Sequence, residues 1–340
     1  MGGRVSTAVV QERVRELRAR GAPARIVGGG GWLDAGRPVL GAVPLPVADD
    51  RAILEYVAGD LTLTARAGAT LADIAAATGA EGQWLALDPF GEPGGTLGAT
   101  IATGSAGPLA HAFGTPRDNV LGLEVVTGNG EVVRAGGRVV KNLAGFDLTR
   151  LFNGAWGTLA VITEATVRLR ARPEREETIA LPIPEDDALG DWLSRLRALP
   201  FTPLALELFN APLSAALGLE RRELLLARLG GNDDAVRAQR QLFGGFADMR
   251  DVATNAWSTL AGAEPAGAAV ARVSAPPSRL GAIWPALARV DERSLAHATV
   301  GRGIVRTICP HADGSGIDRW LAAIGRCEGT HIFERLPARA

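Results

Sequence analysis

Two glycine runs constrain this chain more than any other feature. Gly28-Gly29-Gly30-Gly31 follows a short apolar segment, and residues 94–107, GGTLGATIATGSAG, interleave glycine with hydroxyl side chains. Each glycine costs roughly 0.5–1 kcal/mol of extra chain entropy on folding. Four in succession at a strand end are unfavourable unless something must approach bare backbone. Successive N–H groups in such a turn form a nest for anions, which suits a pyrophosphate. Thr96, Thr103 and Ser105 add hydroxyl donors for phosphate, ribitol or a flavin edge. One glycine loop alone would read as a tight turn in a β-rich domain. The pair, separated by a helix-poor stretch, points to an extended dinucleotide lying between two subdomains.

A nicotinamide-type nucleotide fold fits poorly. That fingerprint needs a helix opening directly on the glycines. Here Trp32-Leu33-Asp34-Ala35-Gly36-Arg37-Pro38 follows, with both Gly and Pro where the helix should begin, and no third glycine stands in register.

The surrounding pattern is regular. Val10, Val14 and Leu17 recur at helical spacing over residues 9–20, and Gly21 and Pro23 stop that helix. Residues 61–65 alternate as a strand and 70–78 form a helix. Residues 120–126 and 131–134 are strands joined by the turn Thr127-Gly128-Asn129-Gly130. Residues 148–152 are helical, and 158–169 alternate as one long strand. The charged break at 172–177 marks a domain boundary, dividing residues 1–172 from 173–340. Beyond it, strands at 178–183, 204–209, 223–229, 269–274, 296–300 and 304–309 are interspersed with helices at 186–199, 233–243, 277–288 and 316–324. That order predicts a smaller α+β domain, one antiparallel sheet with helices on one face.

Composition excludes several functions. A net charge of −1 leaves no basic footprint for nucleic acid. Two cysteines, Cys309 and Cys327, are too few for a disulfide framework and suit a reducing cytoplasm. No apolar run reaches the ~18 residues of a membrane helix. Cys309, His311, Cys327 and His331 have no recognised zinc spacing, so no metal is expected. Lys141 is the only lysine among 36 basic residues, and its geometry and hydration differ from arginine's. His111, after the second glycine run, is a candidate base or simply a surface-loop histidine.

Residues 24–172 resemble the FAD-binding domain of the vanillyl-alcohol oxidase and p-cresol methylhydroxylase superfamily (PCMH type). The resemblance is carried by ARIVGGGG at 24–31, LTLTARAGATL at 61–71, the glycine-rich stretch at 94–107, GTPRDNVLG at 114–122, and KNLAGFDL at 141–148 with GTLAVITE at 157–164. Within it, the short first loop and the Lys-Asn-x-x-Gly-Phe-Asp block look most like the FAD-binding subunit of bacterial glycolate oxidase. The resemblance implies two α/β subdomains binding FAD, followed by an α+β cap. It places Gly28, Gly29, Gly30, Gly31 and Trp32 around the pyrophosphate. Gly94, Gly95, Thr96, Gly98, Thr103, Ser105 and Gly107 fall along flavin and ribitol. Arg117 and Asp118 fix that loop, and Gly157, Thr158 and Ile162 lie at the adenine end.

Several positions depart from the family pattern. Relatives with covalent flavin carry His or Cys near the first loop, where this chain has Gly31-Trp32, so non-covalent FAD is expected. Phe146 and Trp156 replace residues usual in relatives. Relatives that oxidise 2-hydroxy acids alone carry a histidine and carboxylate cluster in the second domain; His297, His311 and His331 show no carboxylate partner at helical spacing. The chain stops at Leu336-Pro337-Ala338-Arg339-Ala340 without a terminal segment common in the family. No catalytic residue is assigned. The implied function is an FAD-binding subunit of a cytoplasmic glycolate or 2-hydroxy-acid oxidase, with membrane association only through partners. Those partners are a larger FAD-containing subunit and an iron–sulfur subunit. A non-catalytic assembly subunit and a stand-alone FAD enzyme acting on another alcohol or hydroxy acid are the alternatives.

Overall fold

The computed structural model describes residues 7–36, 39–91, 94–137, 147–310 and 314–336. Lys141, Phe146 and His311 therefore lie outside the described residues. The chain divides into two compact units: the described residues of Met1–Leu33, Arg37–Gly107 and Phe113–Arg172, and those of Asp34–Gly36, Pro108–Ala112 and Pro173–Ala340.

In the first unit, β1 (Ala24–Val27) and β2 (Val43–Pro46) pair in parallel. Helix Thr7–Ala19 turns Val10 and Val14 onto Leu45, Val47, Val126 and Val161, an apolar seam distinct from the main core, and Leu17 is buried on the same helix. Gly21, at φ +61°, ends the helix and donates its N–H to Arg18 O at 3.0 Å. The seam fixes β1, and with it the first glycine run.

β3 (Ile53–Val57), β4 (Thr62–Arg66), β6 (Val120–Thr127), β7 (Val132–Gly136) and β8 (Ala160–Arg168) form an antiparallel sheet, ordered β3-β4-β8-β6-β7. β5 (Gln83–Trp84) pairs separately with β9 (Arg170–Ala171). Helix Leu71–Thr78 starts on a reciprocal cap: Thr70 Oγ1 accepts from Asp73 N at 3.0 Å, and Asp73 Oδ2 accepts from Thr70 N at 2.9 Å. These two bonds satisfy donors that a helix start leaves open.

The sheet is also held by a buried carboxylate. Glu124 accepts from Thr7 Oγ1, Arg134 and Thr163 Oγ1, tying helix Thr7–Ala19 to β6, β7 and β8. Burial works to raise its pKa, but those hydrogen bonds outweigh it and hold the carboxyl below the ordinary range.

The second unit is built on eight antiparallel strands: β10 (Arg175–Pro182), β11 (Ala205–Phe209), β12 (Leu224–Gly231), β13 (Arg250–Val252), β14 (Ala269–Ser274), β15 (Leu295–Thr299), β16 (Ile304–Cys309) and β17 (Thr330–Arg335). Their order is β13-β10-β12-β11-β15-β16-β14-β17. Strand alternation separates two faces. Leu206, Leu208, Ala271, Val273, Ala296 and Ala298 meet Leu189, Trp192, Leu193, Phe243, Trp284 and Trp320 of the helices. Asn210, fully buried after β11, donates to Ala288 O and Ser294 O, and accepts from Leu213 N and Ala296 N. The predicted α+β architecture is the observed one. Among the described residues no helix is long and apolar enough to cross a membrane.

Candidate functional site

The two glycine runs meet in the first unit. β1 delivers Gly28–Gly31, and Gly30 takes φ +88°, accepting from Leu33 N at 3.3 Å. The second run is anchored at the start of helix Leu71–Thr78: Leu97 N donates to Ala69 O at 2.7 Å, and Gly98 N to Ala67 O at 2.8 Å. Only part of it is loop. Leu97–Thr103 forms a seven-residue helix, because Leu97 and Ile101, both fully buried, dock one face while Thr96 Oγ1 accepts from Ala99 N.

The glycines fall into two physical classes. A Cβ on Gly28 would stand 2.7 Å from Thr96 Oγ1, and one on Gly29 would stand 2.8 Å from Gly94 O. These residues let the runs touch. A Cβ on Gly98 would meet Ala67 Cβ at 2.7 Å, and one on Gly107 would meet Asp88 O at 2.1 Å, so both are packing requirements. Gly31 and Gly94 differ: a Cβ on either meets no heavy atom within 4 Å. Among the described residues no atom stands where either Cβ would be.

Gly31 and Gly94 line a cavity of about 180 Å³, whose walls include Ile26, Val47, Phe90, Gly95, Gly98, Thr103, Gly157 and Ile162. Gly28, Gly29, Gly30 and Trp32 complete the rim. The structure thus gathers most of the expected site residues around one space. It does not bring Thr96, Ser105, Gly107, Arg117, Asp118 or Thr158 to that wall. The hydroxyls are largely committed elsewhere. Thr103 Oγ1 donates to Ala99 O at 2.8 Å, and Ser105 Oγ accepts from Phe90 N at 3.1 Å. Asp118 Oδ2 accepts from both Thr115 N and Thr115 Oγ1, bracing the turn rather than the cavity. Thr158 Oγ1 donates to Ala155 O at 2.6 Å.

Sequence reasoning missed Phe90, Val47 and Trp156 as wall residues. Trp156 stands out in the backbone: its φ is +54°, a region that L residues with bulky side chains rarely enter. Its ring meets Trp32 edge-on, with centroids 5.5 Å apart and planes at 83°.

His111 belongs to the second unit and does not line the cavity. Burial, aided by the Arg302 charge, lowers its pKa to about 4, so its imidazole is neutral at physiological pH. His297 has a carboxylate partner that lies across the sheet, not at helical spacing. His297 Nδ1 lies 2.9 Å from Glu207 Oε2, with both side chains buried. The pairing runs between β11 and β15, so helical spacing could not reveal it. On the same face Arg306 pairs with Glu264 and with Glu334. Among the described residues no group of three or more His, Cys, Asp or Glu could hold a metal. His331 Nε2 lies 2.9 Å from Cys327 O.

The family model described as "FAD binding domain" matches residues 5–136. Those residues carry an FAD-binding domain of the PCMH type. It is 35% identical to glycolate oxidase subunit GlcE of Escherichia coli over 251 residues, covering 73% of this chain and 66% of that one. It is 36% identical to glycolate oxidase subunit GlcD of Bacillus subtilis over 175 residues, 52% of this chain and 37% of that relative. The chain therefore spans just under two thirds of the first relative and little over a third of the second. Solved p-cresol methylhydroxylase superposes with a TM-score of 0.72 at 14% identity, covering 94% of this chain and 77% of that one. Alkyldihydroxyacetonephosphate synthase also gives 0.72, at 15% identity, with coverages of 96% and 70%. Both carry the same fold. Its similarity runs to glycolate oxidase subunits and, over shorter stretches, to D-lactate dehydrogenases.

The cavity fits part of such a cofactor. Its volume falls below the ~300–1,000 Å³ of pockets that enclose a drug-sized ligand, so a dinucleotide seated there extends beyond it. Bare backbone at Gly31 and Gly94 beside an apolar wall suits a flat ring or a pyrophosphate.

Proposed function

We propose that the chain is the FAD-binding subunit of a glycolate or related 2-hydroxy-acid oxidase, holding FAD without a covalent bond. The observation that carries this reading is the cavity lined by Gly31 and Gly94, where a Cβ would meet no atom of the described residues within 4 Å. The identity to GlcE directs the choice of substrate class. Residues 1–172 are assigned as the FAD-binding domain and 173–340 as a cap that meets substrate or partner.

Bound flavin would supply a two-electron acceptor. The protein's share is placement and exclusion of water. Gly28 to Gly31 present bare backbone and Trp32 an aromatic rim, while Gly94, Gly95, Gly98, Thr103, Gly157 and Ile162 form the facing wall. Ile26, Val47 and Phe90 keep that wall apolar, which strengthens every polar contact made inside it. Thr96, Ser105, Gly107, Asp118 and Thr158 act one layer out, fixing the turns that carry the wall. Gly31-Trp32 offers neither imidazole nor thiol for a flavin bond.

The partners assigned are a larger FAD-containing 2-hydroxy-acid-oxidising subunit and an iron–sulfur subunit. Co-expression with such subunits tests the assignment. Co-purification, with glycolate- or D-lactate-dependent dye reduction only by the assembled complex, is the expected result. Dye reduction by the isolated chain at the complex's rate would make it a stand-alone enzyme. An assembled complex equally active when this chain carries no FAD would leave it a non-catalytic assembly subunit.

A further inference from the structure

We infer that Trp156, steadied by Trp32, is the stacking platform for a planar ring of the bound dinucleotide. The inference rests on the FAD reading above and adds to it a named aromatic contact.

Trp156 occupies a backbone conformation that glycine or asparagine would adopt with less strain. Its surroundings enforce that conformation. Trp156 N donates to Ala102 O at 2.7 Å, and Gly154 N donates to Ile101 O at 2.9 Å, so the turn is tied to the end of helix Leu97–Thr103. On the other side, a Cβ on Gly157 would stand 2.7 Å from Ile26 Cδ1, so the turn packs closely against β1. Residues held this way persist where the surrounding structure over-determines them, and they gather at ligand sites.

Burial does not explain the choice of tryptophan, since Trp156 is 40% exposed. Its indole instead lines the glycine-walled cavity, and Trp32 buttresses it edge-on. An edge-to-face pair fixes the orientation of both rings. The result is a rigid, half-open aromatic surface beside bare peptide, which matches a flat heterocycle next to a pyrophosphate. Both the adenine and the isoalloxazine of FAD have that chemistry.

The test uses the full-length apo chain titrated with FAD, with ADP and with FMN. Base–aromatic stacking contributes enough that Trp156→Gly should weaken FAD binding about tenfold. The same substitution relieves backbone strain, so the apo melting temperature should hold or rise. Trp156→Phe should recover most of the affinity. If Trp156→Gly does not fold, Trp156→Asn, which tolerates positive φ, replaces it. Weakened ADP binding with unchanged FMN binding assigns the platform to adenine; the reverse assigns it to isoalloxazine. Unchanged affinity for all three ligands overturns the inference while leaving FAD binding intact. A large fall in apo melting temperature also overturns it, because the ring would then be a packing element. A wild-type chain that takes up no FAD sinks both readings together.

Discussion

Gly94 and Gly107 belong to one glycine-rich stretch, yet alanine at each should do opposite things. At Gly94 the new methyl meets no heavy atom of the described residues within 4 Å. The apo protein should therefore hold or gain about 0.4–1 kcal/mol, since alanine has fewer unfolded conformations to lose. That methyl sits in the cavity wall, where a bound dinucleotide would have to yield to it. Overpacking a fitted contact costs about 1–3 kcal/mol, so FAD affinity should fall roughly 5- to 150-fold. At Gly107 the methyl would lie 2.1 Å from Asp88 O, against an ordinary contact of about 3.5 Å. The backbone must open by more than an ångström, and the same ~1–3 kcal/mol now falls on folding. Thermal melts of both apo variants, paired with FAD fluorescence titrations, separate the cases. A Gly94→Ala protein that melts lower but binds FAD normally would refute the division. So would a Gly107→Ala protein with unchanged melting.

Other outcomes follow from the same geometry. His111 titrates near 4 when folded and near 6.5 when unfolded, so the unfolded chain binds more protons between those values. Stability should fall by about 3 kcal/mol as pH drops from 6.5 to 4, and His111→Gln should flatten that slope in urea melts at successive pH values. Asn210→Ala strips four hydrogen bonds from a buried site; a loss of about 3–5 kcal/mol is expected by denaturant unfolding, and a loss under 1 kcal/mol would contradict it. Acid precipitation should release intact FAD into the supernatant, whereas flavin remaining with the pellet would disprove non-covalent binding.

Much of the fold was readable because its elements follow simple periods. The spacing of Val10, Val14 and Leu17 marked helix Thr7–Ala19, alternation marked β8, and apolar runs marked β14 and β16, with boundaries close to those observed. β2 and β3 escaped notice, since the Val-Pro-Leu-Pro of β2 shows no clear alternation and β3 buries no side chain fully. The helix inside the second glycine run was hidden by composition: Leu97 and Ile101 supply its only long apolar anchors. At the candidate site, the glycine runs were visible but their division of labour was not. Whether a glycine faces Ala67, Asp88 or open space is set by residues distant in sequence. The His297–Glu207 pair joins positions 90 apart, beyond any local pattern.

The flavin content of the purified chain tests the central claim most directly. After incubation with FAD and removal of excess, the spectrum should show oxidised flavin at about one equivalent per chain for wild type and far less for Gly94→Ala. A well-folded wild-type protein that stays colourless under saturating FAD would contradict the account.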